Sequence, residues 1–412
     1  MKHRKLKADK IFDGFTFFRD HVLIVQENGV IEDIVPKENA GEGVETFEGI
    51  ISPGFINCHC HLELSHMKGH ILEKTGLVDF VFKVVTERHH KKEEILNAIA
   101  EAEAEMIKNG IVAVGDICNN ALTLPQKTEG RLQYYNFIEA SGWLPSVSQE
   151  RFERAKEIYN LYANSTKLQT LNFSIVPHAP YSVSANLWQK IKPYFENKVV
   201  SIHNQETSFE DDFFLDGTGD FRRMYQLMNI DNAHHAPTKK SSLQSYFDEL
   251  SVASSAILVH NTFTRQEDVD FIKSQPSFIK WQQLSSANKQ GVIAEQRQTQ
   301  KFKPKTFFCL CVNANQYIEG ALPPIELLRN NNCTIVLGTD SLASNWSLSI
   351  VDEIKTLRKH FPHIALSEFL QWATINGARA LQMDDRLGSF EKKKRPGVNI
   401  LNEEHLSVQT IF

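Results

Sequence analysis

"GIISPGFINCHCHLELS", residues 49–65, runs an apolar approach into four consecutive metal-capable side chains: Cys58, His59, Cys60 and His61. The apolar run with its Pro53-Gly54 break predicts a short strand. Successive strand side chains point to opposite faces, so His59 and His61 share one face and Cys58 and Cys60 the other. A tetrahedral site cannot take all four, because half of them point away. Either the histidine pair or the cysteine pair meets a metal, or the stretch holds only buried thiols and ordinary histidines. What lies on either side of it decides.

Before Pro53 the chain reads as short strands and turns. "HVLIVQENGVIEDIV" alternates apolar and polar residues about a turn at Glu27-Asn28-Gly29, a hairpin pattern. After Pro53 apolar strand candidates alternate with helical segments. The candidates are 54–60, 111–118, 133–140, 171–177, 199–203, 256–260, 307–312 and 333–338. In the intervening "EEILNAIAEAEAEMIKNG", Ile95, Ile99, Ala102 and Met106 fall on one helical face, with Lys108 in the last turn and Gly110 just past it. Strands alternating with helices in this number predict a (β/α)8 TIM barrel. After a helical stretch at 366–383, "LGSFEKKKRPGVNIL" returns to short strands, with Lys392–Arg395 as a solvated turn. The division expected is 1–52 as one part of a small β-sandwich, 53–383 as the barrel and 384–412 as the other part. Residues 281–306, polar and rich in Gln and Lys, read as an insertion between strands six and seven.

Composition narrows the class. The 412 residues are 42% hydrophobic and 23% charged, ordinary for a globular protein with one large and one small unit. A net charge of −5 lacks the basic footprint of a nucleic-acid binder. No apolar run reaches the ~18 residues of a membrane span, and the basic N-terminus lacks a signal-peptide core. Six cysteines, mostly in apolar runs, do not make a disulfide framework and fit reduced thiols in the cytoplasm.

Barrel enzymes work at the C-terminal ends of their strands. There the sequence places His59 and His61 on strand one, His178 after strand four, His203 on strand five with Glu206 three residues on, His260 on strand six and Asp340 after strand eight. A single strand-end His or Asp most often caps a helix or bonds to backbone. Seven at one end of successive strands form a coherent set. Imidazole and carboxylate suit zinc or iron(II), and three His with one Asp hold a metal while leaving room for water. The set favours the histidine pair, and leaves Cys58 and Cys60 facing the helices as small apolar side chains.

"PGFINCHCHLELS", "HNQE", "LVHN", "LGTDSLASN" and "TINGARAL" resemble the amidohydrolase superfamily over nearly the whole chain. The resemblance implies metal ligands at His59, His61, His203 and Asp340. It implies a proton-shuttling carboxylate at Glu206 and, at His260, a histidine contacting the hydrolytic water. "VPHAP" at strand four has no lysine to bridge two metals, so the chain is similar to the mononuclear deaminase and chlorohydrolase branch. In that branch His178 would help hold a purine nucleoside. "HLELS" followed by "GLVDFVFKVVTER" also resembles the aminodeoxyfutalosine deaminases. "CVNAN", residues 311–315, departs from the family's Cys-Pro-x-Ser-Asn.

The expected function is hydrolytic deamination of an aminopurine-type nucleoside or related heterocycle by a metal-activated hydroxide, with Glu206, His260 and Asp340 catalytic. One divalent metal is expected, zinc first and iron second. The partner is a small heterocyclic amine, without nucleic acid or membrane, and a homodimer is the assembly allowed for. Hydrolysis of another C–N or C–Cl bond on the same site is the alternative. A barrel retired to a scaffold is disfavoured, because every ligand and the acid are present.

Overall fold

Eight parallel strands carry the fold: β1 (Phe55–Cys60), β2 (Ile111–Cys118), β3 (Gln133–Ala140), β4 (Asn172–Pro177), β5 (Val199–Asn204), β6 (Ser255–His260), β7 (Lys305–Leu310) and β8 (Thr334–Leu337). The structure is a computed structural model and describes residues 3–165, 172–276 and 303–412. The strands form two four-stranded ladders, β4-β3-β2-β1 and β5-β6-β7-β8. Backbone bonds close them into a barrel. The His203 N–H donates to the His178 carbonyl at 3.0 Å, and the Thr339 and Asp340 N–H groups donate to the His59 carbonyl at 3.0 and 3.1 Å. Both seams therefore lie among the residues expected to form the site.

The strands are near-continuous apolar runs because barrel strands are covered on both faces. β1, β5 and β6 are buried along their whole length. Helix Lys92–Lys108 follows the predicted face, with Ile95, Ile99, Ala102 and Met106 buried. The seventh strand sits two residues earlier than the sequence pattern suggests. It stops at Leu310, and Val312–Ile318 is helical. The Asn313 N–H donates to the Glu353 carboxylate at 3.0 Å, which holds the chain in its turn away from the sheet. Of the expected insertion, residues 281–302 lie outside the described residues.

The helical stretch after β8 includes Leu366–Gln371, a π-helical turn at Trp372–Asn376 and Gly377–Ala380. It packs on β1 so closely that a Cβ on Gly377 would meet Ile56 Cβ at 2.9 Å and Cys58 Sγ at 3.2 Å. Glycine is required there by approach rather than by backbone angle.

Two small sheets join the chain ends. One orders Ile31–Pro36, His21–Gln26, His3–Lys7 and Val44–Thr46. The other places Ile50–Ser52 between Lys10–Phe12 and Asn399–Leu401. Leu6, Leu23, Val25, Ile51, Val398 and Ile400 form the core between them. The predicted hairpin pairs His21–Gln26 with Ile31–Pro36, and Gly29 in its turn has φ +85°. Among the described residues no helix is long and apolar enough to cross a membrane.

Candidate active site

His59 and His61 project from the C-terminal end of β1 toward Asp340. His59 Nε2 lies 3.4 Å and His61 Nε2 3.3 Å from Asp340 Oδ1. His61 Nε2 also lies 3.3 Å from His203 Nε2. Donor atoms sharing one tetrahedral ion at 2.0–2.1 Å stand about 3.3 Å apart. The donor atoms of His59, His203, His260 and Asp340 also fall within 4.8 Å of one another. Both ring nitrogens of His59 are buried without a hydrogen-bond partner. Buried nitrogens left in this state are costly unless something else satisfies them, and a bound cation would satisfy one of them. The donor set therefore fits a divalent metal.

The protonation states fit as well, since metal ligands must be neutral imidazole and carboxylate. Burial drives His61 and His203 well below the usual histidine range. Burial alone would raise the Asp340 carboxyl, but the neighbouring His59, His61 and His260 rings hold it well below the carboxylate range. His203 Nδ1 donates to the His178 carbonyl at 2.8 Å, which fixes the tautomer and frees Nε2. Cys58 and Cys60 are fully buried, and neither belongs to a metal-capable group among the described residues.

A layer of contacts behind the site explains the motifs. Ser344 Oγ donates to Asp340 Oδ2, leaving Oδ1 toward the histidines. Asn345 Nδ2 donates to the Thr339 carbonyl at 2.8 Å and to Glu353 Oε1 at 2.9 Å. Asn57 Nδ2 donates to Thr339 Oγ1 at 2.7 Å across the β1–β8 seam. These bonds hold Asp340 at φ +56°, a strained conformation for a residue with a side chain. His260 is held likewise at φ +72°, its Nδ1–H donating to Asn315 Oδ1 at 2.8 Å. The "CVNAN" departure thus keeps the asparagine that orients His260.

Glu206 lies opposite, Oε1 3.6 Å from His260 Nε2. Burial, then Asp340 and Glu319, push its carboxyl well above the usual range; a bound dication would oppose that shift. Its loop is fixed by Glu210, which accepts the N–H of Gln205 at 3.0 Å and of Glu206 at 3.3 Å. Behind His61, Asp116 accepts the Leu62 N–H at 2.9 Å and is paired with the fully buried Lys127 at 2.5 Å.

These side chains open into a cavity of about 370 Å³, with His178, Glu139 and apolar residues such as Leu64, Phe80, Trp143 and Met224 in its wall. Ser182 Oγ–H is committed to the Ala179 carbonyl, so His178 Nδ1–H donates to Ser182 at 2.7 Å. Burial lowers His178 to about 4, so the ring is neutral. All seven residues singled out in the sequence line this one cavity or touch its lining. Sequence reasoning missed Glu139, Glu210 and Asn315. Glu210 had one weak signal, an acid four residues beyond Glu206; Asn315 closes the quoted "CVNAN" but was given no role there, and Glu139 had no signal.

A closed parallel barrel with a histidine–aspartate cluster at the C-terminal ends of its strands defines a metal-dependent barrel enzyme. The chain belongs to the amidohydrolase family, which it matches over residues 50–409. A Helicobacter pylori protein named adenosine deaminase is 25% identical over 372 residues, 88% of this chain and 82% of its own. A Pyrococcus furiosus 5-methylthioadenosine/S-adenosylhomocysteine deaminase is 24% identical over 391 residues, 90% of this chain and 79% of its own. The crystal structure of Helicobacter pylori aminofutalosine deaminase shares the fold with a TM-score of 0.77 at 21% identity, covering 100% of both chains.

Proposed function

We propose that this protein is a hydrolytic deaminase of 6-aminopurine nucleosides, using one divalent metal held by His59, His61, His203 and Asp340. The observation that carries the reading is the facing pair Glu206 and His260, 3.6 Å apart beside those four donors. The relatives named as adenosine and methylthioadenosine deaminases point the same way. Three neutral imidazoles and one carboxylate suit zinc before iron(II). The metal supplies a lowered pKa for water, so that a nucleophile exists at neutral pH.

The chain's own groups do the rest. Glu206 takes the proton of the attacking water and hands it to the ring nitrogen beside the carbon bearing the amine. His260 Nε2, its other nitrogen held by Asn315, orients the water's oxygen. Asp340 is held ionised and accepts a hydrogen bond on the same side. The amine leaves as ammonia after a second proton transfer through Glu206. His178 holds the ring from the β4 side. A cytoplasmic setting belongs to the proposal, supported by six cysteines none of which is paired in a disulfide.

Zinc-loaded protein should release ammonia from adenosine or 5′-methylthioadenosine and yield the 6-oxo product. Chloride release from a chlorotriazine without ammonia release from any aminopurine would overturn the reading.

A further inference from the structure

We propose that Asp116, with the buried ammonium of Lys127 behind it, is the positioning residue that sets His61 in the metal-donor cluster. The proposal rests on the metal-dependent reading above and deepens it. The rings of His203 and His260 are each steered through Nδ1, one by the His178 carbonyl and one by Asn315. His61 has no such bond, and its Nδ1 is buried without a partner. Its ring is therefore placed only by its backbone and by packing. Regular pairing of β1 with β2 does not fix that backbone. Asn57 lies opposite Val114 and Cys60 opposite Asp116, so β1 carries one residue more than β2 over this stretch. A bulge of this kind re-aims the side chains beside it. Gly115 makes room for it, since a Cβ there would meet the Cys58 carbonyl oxygen at 2.5 Å. The strand ends at Cys60, and His61 leaves it with φ −113° and ψ 76°.

The chain just past His61 is held by side chains exchanged between the ends of β1 and β2. Asp116 Oδ1 accepts the Leu62 N–H at 2.9 Å, and Glu63 Oε2 accepts the Asn119 N–H at 3.1 Å in return. Asp116 Oδ2 meets Lys127 Nζ at 2.5 Å, and that ammonium also donates to Asn136 Oδ1 at 2.7 Å. Both side chains of the pair are fully buried. Burial alone would lower Lys127, but Asp116, then Cys118 and Tyr162, hold it well above the usual lysine range. A buried ion pair is often no more stabilising than an apolar pair of the same volume, because the cost of desolvating both charges offsets their attraction. What this pair provides is direction. With Oδ2 pinned to the ammonium, Oδ1 points at the Leu62 N–H. The side chain thus adds one bond where backbone pairing has ended, and Leu62 held there fixes the point from which His61 reaches the other donors.

The test loads the full chain with Co(II) and compares wild type with Asp116→Asn/Lys127→Met and Asp116→Leu/Lys127→Met. Both variants lose both charges, so neither keeps an unpaired buried ion. The first retains an oxygen for the Leu62 N–H and the second does not. The asparagine variant should match wild type in cobalt dissociation constant and in the visible d–d spectrum of the bound ion. The leucine variant should fold, as circular dichroism reports, yet bind cobalt about 10- to 100-fold more weakly, the range for a lost contact behind a metal ligand, and with a shifted spectrum. A lower denaturation midpoint with unchanged affinity and spectrum would show a merely structural role and overturn the assignment. So would equal losses in the two variants, which would place the effect in the charges rather than in the bond to Leu62. Should the leucine variant fail to fold, Asp116→Ser/Lys127→Met, whose side chain stops short of the Leu62 N–H, takes its place with the same expectations. A wild type without stoichiometric cobalt would sink the metal site and this assignment together. Tight cobalt binding without ammonia release from any aminopurine would sink the deaminase reading alone.

Discussion

Glu206 sits where a proton must be taken and returned. Glu206→Gln keeps the shape and removes the transfer, so kcat should fall at least ~10²-fold while metal content stays at wild-type level; steady-state kinetics beside elemental analysis checks both. The opening parity reading sets a second contrast. His203→Ala should lose the metal, whereas Cys58→Ala/Cys60→Ser should keep it with most of the activity, because those thiols face away from the donor cluster. Metal loss from a folded double cysteine variant would break that reading. The clustering of the candidate metal donors was legible because strand ends and residue type coincide: a histidine closing an apolar run is visible in one dimension. Glu139 was not, since "NFIEAS" reads as any strand and its place beside His178 and His203 exists only in the fold. Asn315 stood in the quoted "CVNAN", but its role did not show there, its partner His260 lying on another strand.

At the scale of elements, all eight strands could be placed from apolar runs to within two residues. The seventh was drawn two residues too far along because Cys311 and Val312 continue the apolar run, while the backbone leaves the sheet to meet Glu353. A local pattern cannot see a carboxylate contributed by helix Ile350–His360. The contact of Gly377 with β1 is another feature of this kind. Gly377→Ala would force a methyl against Ile56 Cβ at 2.9 Å. Overpacking of this kind costs about 1–3 kcal/mol, and because β1 carries His59, a weaker metal affinity should accompany the lower denaturation midpoint. Denaturant titration with and without zinc separates the two effects.

Across the whole molecule, several carboxyls are buried to hold loops in place. Burial raises Glu353 and Glu210 to about 8 from an ordinary 4.5. Between those values the folded chain binds more protons than the unfolded chain, so stability falls as pH rises through that window. Chemical denaturation at pH 5.5 and pH 8 should show the lower midpoint at pH 8, and Glu353→Gln should flatten the difference. The two-part sandwich was legible as short-strand texture at both chain ends, although the pairing of its strands was not. That pairing has a consequence for how the protein is made. Ile50–Ser52 leaves the ribosome long before Asn399–Leu401, its partner on one edge. At roughly 5–20 residues per second, the interval is on the order of tens of seconds. For that time the nascent chain carries an unpaired strand edge next to the candidate metal ligands His59 and His61, the kind of surface that recruits other chains. Translation that stalls before residue 399 would therefore yield a product with a nearly complete barrel and a sticky seam, a substrate for chaperones rather than a working enzyme.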